Sequence, residues 1–433
     1  MTKKKNKSMI QRRLIPTYIF LAIVSLISVF PFYWMIMAAT NNYVDVSKGK
    51  STVCIMKPCG EILESPFDIG HTADELDSLI SLIKSFDEET RVVMEDTGHY
   101  HLPVATYLSS HNIFVCCVNA LRMKFCSQSI RRAKTDKIDS IKIASFGITY
   151  WNELVKAYPS NVIYDELKFL ARQYYQVTGM LVKSKVNFSN LLDQVMPKIN
   201  DVLSNQGENH KLTEFVNRYI HFQNILDMGE MKFTSDYCKW AKKKGYRLNE
   251  RKAAEILALA QNGIPTLPNS QSVKIAVSEA VKLIHSIEES RNTILAQMQD
   301  LCNTLPEYSV VKEMDCIGDT LAPRIIAEIG DVRRFKNKHS LIAYAGIDAP
   351  PYQSGAFHAS ERHISKRGNS YLRKTGYEIM QSLIKHKPAD NAVYNFIQKK
   401  RSEGKCGKEA MIAGLNKFLR VYYGKVMEFY SEH

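Results

Sequence analysis

The chain has 433 residues and a formal charge of +14, with 45% apolar and 24% charged residues. That composition excludes a disordered or collagenous chain and leaves room for two or three domains with sizeable cores. Nine cysteines, an odd number with no CxxC pair, indicate neither a structural zinc site nor a disulfide framework, so reduced thiols in a cytosolic protein are expected.

The head differs from the body. Residues 1–42 carry six Lys/Arg and no acid, and residues 14–44 carry no charge at all. The run Tyr18 to Ala39 is apolar and long enough to cross a bilayer. Basic residues before it predict a cytoplasmic N-terminus. A signal peptide would have a shorter apolar core, so the pattern favours a membrane tether through residues 15–39. The stretch RRLIPTYIFLAIVSLISVFPFYWMIMAATN resembles the first membrane segment of sugar-type ABC transporter permeases. No later run continues that resemblance, which implies a fusion junction near Asn41–Asn42.

In the body, YVDV, a polar SKGKS turn and TVCIM predict a hairpin over 43–60. Leu76, Leu79, Ile80, Leu82 and Ile83 form the stripe of a helix over Ala73–Ser85. A strand RVVME, a helix near Leu102–Ser110 and a strand NIFVCCV follow. Strands alternating with helices after a hairpin predict an α/β layer of ribonuclease H-like order. Residues 160–200 have helical spacing, with Leu167, Leu170, Tyr174, Val177 and Leu181 in register, whereas 201–270 are polar, irregular and unassigned. Val273, Val277, Ala280, Ile284, Ile287, Ile294, Met298 and Leu301 make a heptad seam with Arg291 at its vacant position. That pattern predicts a helical hairpin or an intersubunit coiled coil, hence a homo-oligomer, dimer or tetramer. From Cys316 to Gly330 a hydrophobe–Gly turn opens a helix, as in a helix-hairpin-helix.

Four acids carry the chemistry. Asp45 interrupts an apolar strand, Glu95 ends another, and Asp136 and Asp139 are three apart at a helix start, so they share a face. Each alone is most often a solvated surface group. Together, carboxylates at strand ends and on a nearby helix need a cation between them, and oxygen donors suit Mg²⁺ or Mn²⁺. Such ions clamp the two oxygens exchanged at a phosphodiester. Arg131, Arg132 and Lys134 abut two of these acids and are candidate phosphate contacts. A second constellation lies in 344–375. Ser354, in a Pro- and Gly-flanked loop, precedes Arg362, Lys366, Arg367 and Arg373. A serine beside such cations is able to attack a phosphodiester, and Ser360, Ser365 and Ser370 compete with it.

The ordered set YVDVSKGK, MEDTGHY, KTDKID, IGDTLA with AEIGD, YAGID, and QSG with ISKRGNSYLR resembles the transposases of insertion-sequence family 110, relatives of the Piv/MooV DNA invertases. The resemblance covers about residues 43–425. It implies a RuvC-like domain holding metal through Asp45, Glu95, Asp136 and Asp139. It also implies a C-terminal transposase domain with Ser354 as nucleophile, a covalent serine–DNA linkage, and guidance by an element-encoded RNA. The expected fold is an α/β RuvC/ribonuclease H-like domain (43–160), a helical coiled-coil region (161–304) and a mainly α transposase domain (305–433) after the head (1–42). Three departures stand out: the residues before Asp45, the extra carboxylate Asp96, and Asp348 where a neutral residue is common. Two other readings stay open: a junction nuclease that hydrolyses DNA with water, and an inactive transposase–permease fusion.

Overall fold

A computed structural model describes residues 49–57, 60–86, 89–96, 100–119, 122–123, 135–157, 162–205, 209–247, 249–350, 353–354, 357–358 and 363–432. The chain divides into two units, one ending at Pro159 and the other starting at Ser160. The head and its apolar run lie outside the described residues. Among the described residues no helix is long and apolar enough to cross a membrane.

The first unit is a small α/β layer. Strand β1 (Lys50–Met56) pairs antiparallel with β2 (Ile62–Gly70). Helix α1 (Ala73–Ser85) follows, then β3 (Arg91–Asp96), α2 (Leu102–Ser110) and β4 (Phe114–Asn119), with β3 and β4 parallel in register. A parallel pair needs such a crossover helix. Helix α3 (Asp136–Thr149) closes the unit. Side chains alternate along β3 and β4 with period two. Val92, Met94 and Val115 pack with Leu79, Ile80 and Leu108 of α1 and α2, while Val93, Cys116 and Val118 pack with Phe146 and Ile143 of α3.

The TVCIM arm of the hairpin expected over 43–60 is in β1, whose described partner is β2, a strand left unassigned in the sequence because Glu64, Ser65, Pro66 and Asp68 interrupt its apolar pattern. Proline has no N–H for a ladder. The register accommodates it: Val53 faces Phe67 but Ile55 faces Glu64, so Ser65 and Pro66 bulge out of the pairing. The YVDV arm lies outside the described residues.

The second unit is built on two long antiparallel helices, α4 (Val162–Val195) and, after a helical insertion, α10 (Gln271–Asn303). At one end Leu167, Ala171 and Tyr174 share a core with Met298 and Cys302; at the other Leu181, Phe188 and Leu192 share one with Val277, Val281 and Ile284. The heptad seam is therefore buried within this chain, against α4.

Residues 201–270 are not irregular. They form α5 (Ile199–Val202), α6 (Lys211–Tyr219), α7 (Phe222–Met228), α8 (Glu230–Lys243) and α9 (Glu250–Asn262) around buried Phe215, Phe222, Phe233 and Tyr237. Positive φ at Lys198, Ile220, Gly229 and Gly245 breaks the chain every few turns. Each helix is thus too short for its period to show through the intervening lysines and acids.

Beyond α10 come α11 (Tyr308–Lys312), α12 (Leu321–Ile329), α13 (Lys338–Ala345), α14 (Ser370–His386), α15 (Ala392–Ser402) and α16 (Gly407–Glu432). The helix–turn–helix outline at 308–329 is present, with Cys316 at φ 64° in the turn. Its second helix is interior, however: every residue from Ala322 to Ile329 is buried. It is a core element of this unit and presents no groove-reading face.

Candidate active site

Glu95 is placed by the pleat of β3. Counting by two from Val93, it emerges on the face that α3 covers. Helix α3 packs closely there, since a Cβ on Gly147 would meet Val93 Cγ2 at 3.0 Å. Its far end is pinned by Arg91, whose Nη1 donates to the Trp151 carbonyl at 2.7 Å while the guanidinium lies over the Trp151 ring at 4.4 Å.

The start of α3 is set by Thr135, whose Oγ1 accepts from the Ile138 N–H at 3.3 Å. Asp136 is the first helical residue and Asp139 follows one turn later. Acids in a first turn complement the helix dipole, which is a sufficient local reason for both. They also have a shared destination. Glu95, Asp136 and Asp139 line one cavity of about 420 Å³, together with Ser51, His71 and His101. Asp139 Oδ1 takes the Lys142 ammonium at 2.9 Å, so one of the three carboxylates already has a cation.

All-oxygen donors on this wall are of the class that a hard divalent cation takes. Among the described residues, no three His, Cys, Asp or Glu side chains come together to hold a metal. Asp45, the fourth expected acid, lies outside the described residues, as do Arg131, Arg132 and Lys134. The extra carboxylate Asp96 points away from Glu95. It sits on the opposite face of β3, 3.6 Å from His101 Nε2, and with burial it pushes the Cys117 thiol up to about 11.

The second constellation is a ribbon. The Lys366 N–H donates to the Gly346 carbonyl at 2.9 Å, Ser365 N–H to Asp348 at 2.8 Å, and Asn369 N–H to Tyr344 at 2.7 Å. YAGID and SKRGN are therefore the two edges of one base. Farther along, β5 (Gln353–Ser354) pairs with β6 (Phe357–His358), Ser354 opposite Phe357. Glycine is required where the edges cross: a Cβ on Gly368 would lie 2.6 Å from Gly346 N.

Among the competing serines, Ser365 donates its hydroxyl to Asp348, which gives that aspartate an internal partner, and Ser370 opens α14. Ser360 and Arg362 lie outside the described residues. Lys366, at φ 54°, and Arg367 are exposed beside the base. Arg373 has an internal task instead. Its Nη1 donates to the carbonyls of Ala345 at 2.9 Å and Gly368 at 3.1 Å, so it ties the ribbon base to α14.

Comparison with known proteins bears on both constellations. Residues 44–197 match the model of the IS110-type DEDD transposases, described as "Transposase", and residues 308–395 match "Transposase IS116/IS110/IS902 family". This chain belongs to the IS110 family of transposases. Over 280 residues it is 22% identical to the insertion element IS110 43.6 kDa protein of Streptomyces coelicolor, covering 65% of this chain and 67% of that one. It is 26% identical over 136 residues to the pilin gene-inverting proteins of Moraxella bovis and Moraxella lacunata, spanning 30% of this chain and 42% of theirs. Family membership makes it a DNA-cleaving and rejoining enzyme.

In this transposase the first match contains Glu95, Asp136 and Asp139, and the second contains the whole ribbon. Sequence reasoning passed over a set of polar residues under that ribbon: Arg172, Glu328 and Asn369. One signal was available. Glu328 is a charge in the otherwise apolar run Ile325, Ile326, Ala327, Ile329.

Proposed function

We propose that this transposase cleaves and rejoins DNA with Ser354 as nucleophile and with Mg²⁺ or Mn²⁺ held by Asp45, Glu95, Asp136 and Asp139. The observation that carries the reading is the one cavity that Glu95, Asp136 and Asp139 all line, coming from a strand end and a helix start. The reading includes a RuvC/ribonuclease H-like fold for the first unit, and its α/β layer is compatible with that. β1 and β3 both border that cavity.

Bound there, the cation would supply positive charge to the scissile phosphate's oxygens. Ser354 Oγ attacks phosphorus, forming a serine–phosphate ester as the bond from phosphorus to one deoxyribose oxygen breaks. The serine proton is lost and the leaving oxygen takes one up, so the step balances. The new ester keeps the energy of the old one, and a second DNA hydroxyl reverses the reaction without a cofactor. Lys366, Arg367 and Arg362 lie along the same segment to meet phosphates of DNA or guide RNA. Guide RNA, a homo-oligomer and a cytoplasmic, nucleoid-associated setting are supported by the family resemblance.

The test is a denaturation-resistant DNA–protein adduct, assayed with candidate guide RNA, donor DNA and Mg²⁺. The reading expects an adduct from the wild type and none from Ser354→Ala or Asp45→Ala. Cleavage without an adduct, persisting in Ser354→Ala, would replace it with the hydrolytic nuclease.

A further inference from the structure

Glu328 sits in α12 with a fully buried side chain. An isolated buried carboxylate costs several kcal/mol, so its partners matter. Arg172 of α4 grips both oxygens, with Nη2 to Oε2 at 3.0 Å, and that guanidinium stacks 3.7 Å from the centre of the Tyr371 ring. The remaining contact is with the ribbon. Asn369 Nδ2 donates to Glu328 Oε2 at 2.8 Å and to the Tyr344 hydroxyl at 3.3 Å.

Asn369 is the point where the ribbon ends and α14 begins. Its backbone N–H closes the base on Tyr344, and its Oδ1 accepts from the N–H groups of Tyr371 at 3.0 Å and Leu372 at 3.1 Å. Its amide must therefore turn oxygen to the helix and nitrogen to the interior. Only an acceptor fits on the interior side, and an ionised carboxylate is acceptor-only. We infer that Glu328 is a positioning residue: through Asn369 it fixes the base of the ribbon that carries Ser354, Lys366 and Arg367. The inference rests on Ser354 as nucleophile. Its bland rival is a core ion pair that contributes stability alone.

The experiment uses the full chain with guide RNA, donor DNA and Mg²⁺. It compares wild type, Glu328→Gln, Asn369→Asp and the double variant. Glu328→Gln sets an amide donor among the donors of Asn369 and Arg172. Asn369→Asp sets carboxylate against carboxylate. The double variant restores one donor–acceptor contact and keeps an oxygen to cap α14. Three quantities are read: adduct rate at saturating DNA, DNA affinity, and melting temperature.

Each single variant is expected to lose about tenfold or more in saturating rate, the scale of a slightly misplaced reacting group. Its DNA affinity should stay within about twofold, because the lost interaction acts only on the chemical step. The double variant should recover most of the rate. Single variants that melt earlier but react at the wild-type saturating rate would overturn the inference, as would a double variant no faster than the slower single. Should the single variants fail to fold, a folded double variant within about tenfold of wild type supports the inference, and a slower one overturns it. Failure of the serine reading is separable, because Ser354→Ala run alongside would still yield cleaved DNA. The same four rates would then be read on cleavage.

Discussion

The acids and the serine are held by different kinds of structure. Glu95 takes its direction from one pleat of β3, and Asp136 and Asp139 from the first turn of a capped helix. The backbone at Ser354 rides on a ribbon fixed by bonds between 344–348 and 365–369, under which Glu328, Arg172, Asn369 and Arg373 make further ties. Local periodicity is enough to bring three carboxylates to one cavity. Holding the base of the ribbon takes partners far apart in the chain, and these carry the cost of buried charge.

That contrast gives graded predictions. The largest effect belongs to the proposed nucleophile: Ser354→Ala is expected to lower strand cleavage on the order of 10⁶-fold, the scale seen when a catalytic serine is removed. DNA affinity, followed by filter binding, should hardly change.

Next comes the scaffold shared by the second unit. Leu167, fully buried in α4, should cost about 2–5 kcal/mol as Ala, read by denaturant unfolding. Leu108 in the first unit should cost a similar amount. If each unit holds its own core, Leu108→Ala should leave the protection of α4 and α10 amides against hydrogen exchange unchanged. Loss of protection in both units would break the comparison.

A smaller effect separates the exposed cation from the tied one. Lys366→Ala should weaken binding of all DNA sequences alike and reduce the salt slope by about 1. Arg373→Ala should leave that slope intact while slowing cleavage, because its guanidinium serves two carbonyls.

The smallest effect concerns pH. The Arg218 guanidinium, at 2.7 Å, holds the Asp236 carboxyl below its usual range. A depressed carboxylate contributes stability above its unfolded value, about 4, and loses it as pH falls through the folded value. Arg218→Gln should therefore melt below wild type at pH 7, with the gap closing below about pH 4. A gap independent of pH would assign Arg218 to packing alone.

The same contrast explains what was legible in the sequence. Helix α1 was readable to the residue because Leu76, Leu79, Ile80 and Ile83 repeat at helical spacing over 13 residues. Glu95 and the Asp136/Asp139 pair were readable because strand and helix periods state their faces. β2 was not, because a bulge at Ser65–Pro66 breaks its alternation. The insertion between α4 and α10 was not, because its helices are short. The pairing of YAGID with SKRGN was invisible, since nothing in either run specifies the other. Arg373 read as a phosphate contact because charge in a sequence does not reveal which carbonyls lie beside it.

The most direct measurement is Mn²⁺ binding by electron paramagnetic resonance, on the full chain with donor DNA present. Wild type is compared with Asp45→Ala, Glu95→Ala, Asp136→Ala and Asp139→Ala. The account predicts that all four variants weaken binding of the same Mn²⁺ signal, because the four carboxylates form one site. A variant that binds as wild type does, Asp139→Ala above all given its pairing with Lys142, would contradict it.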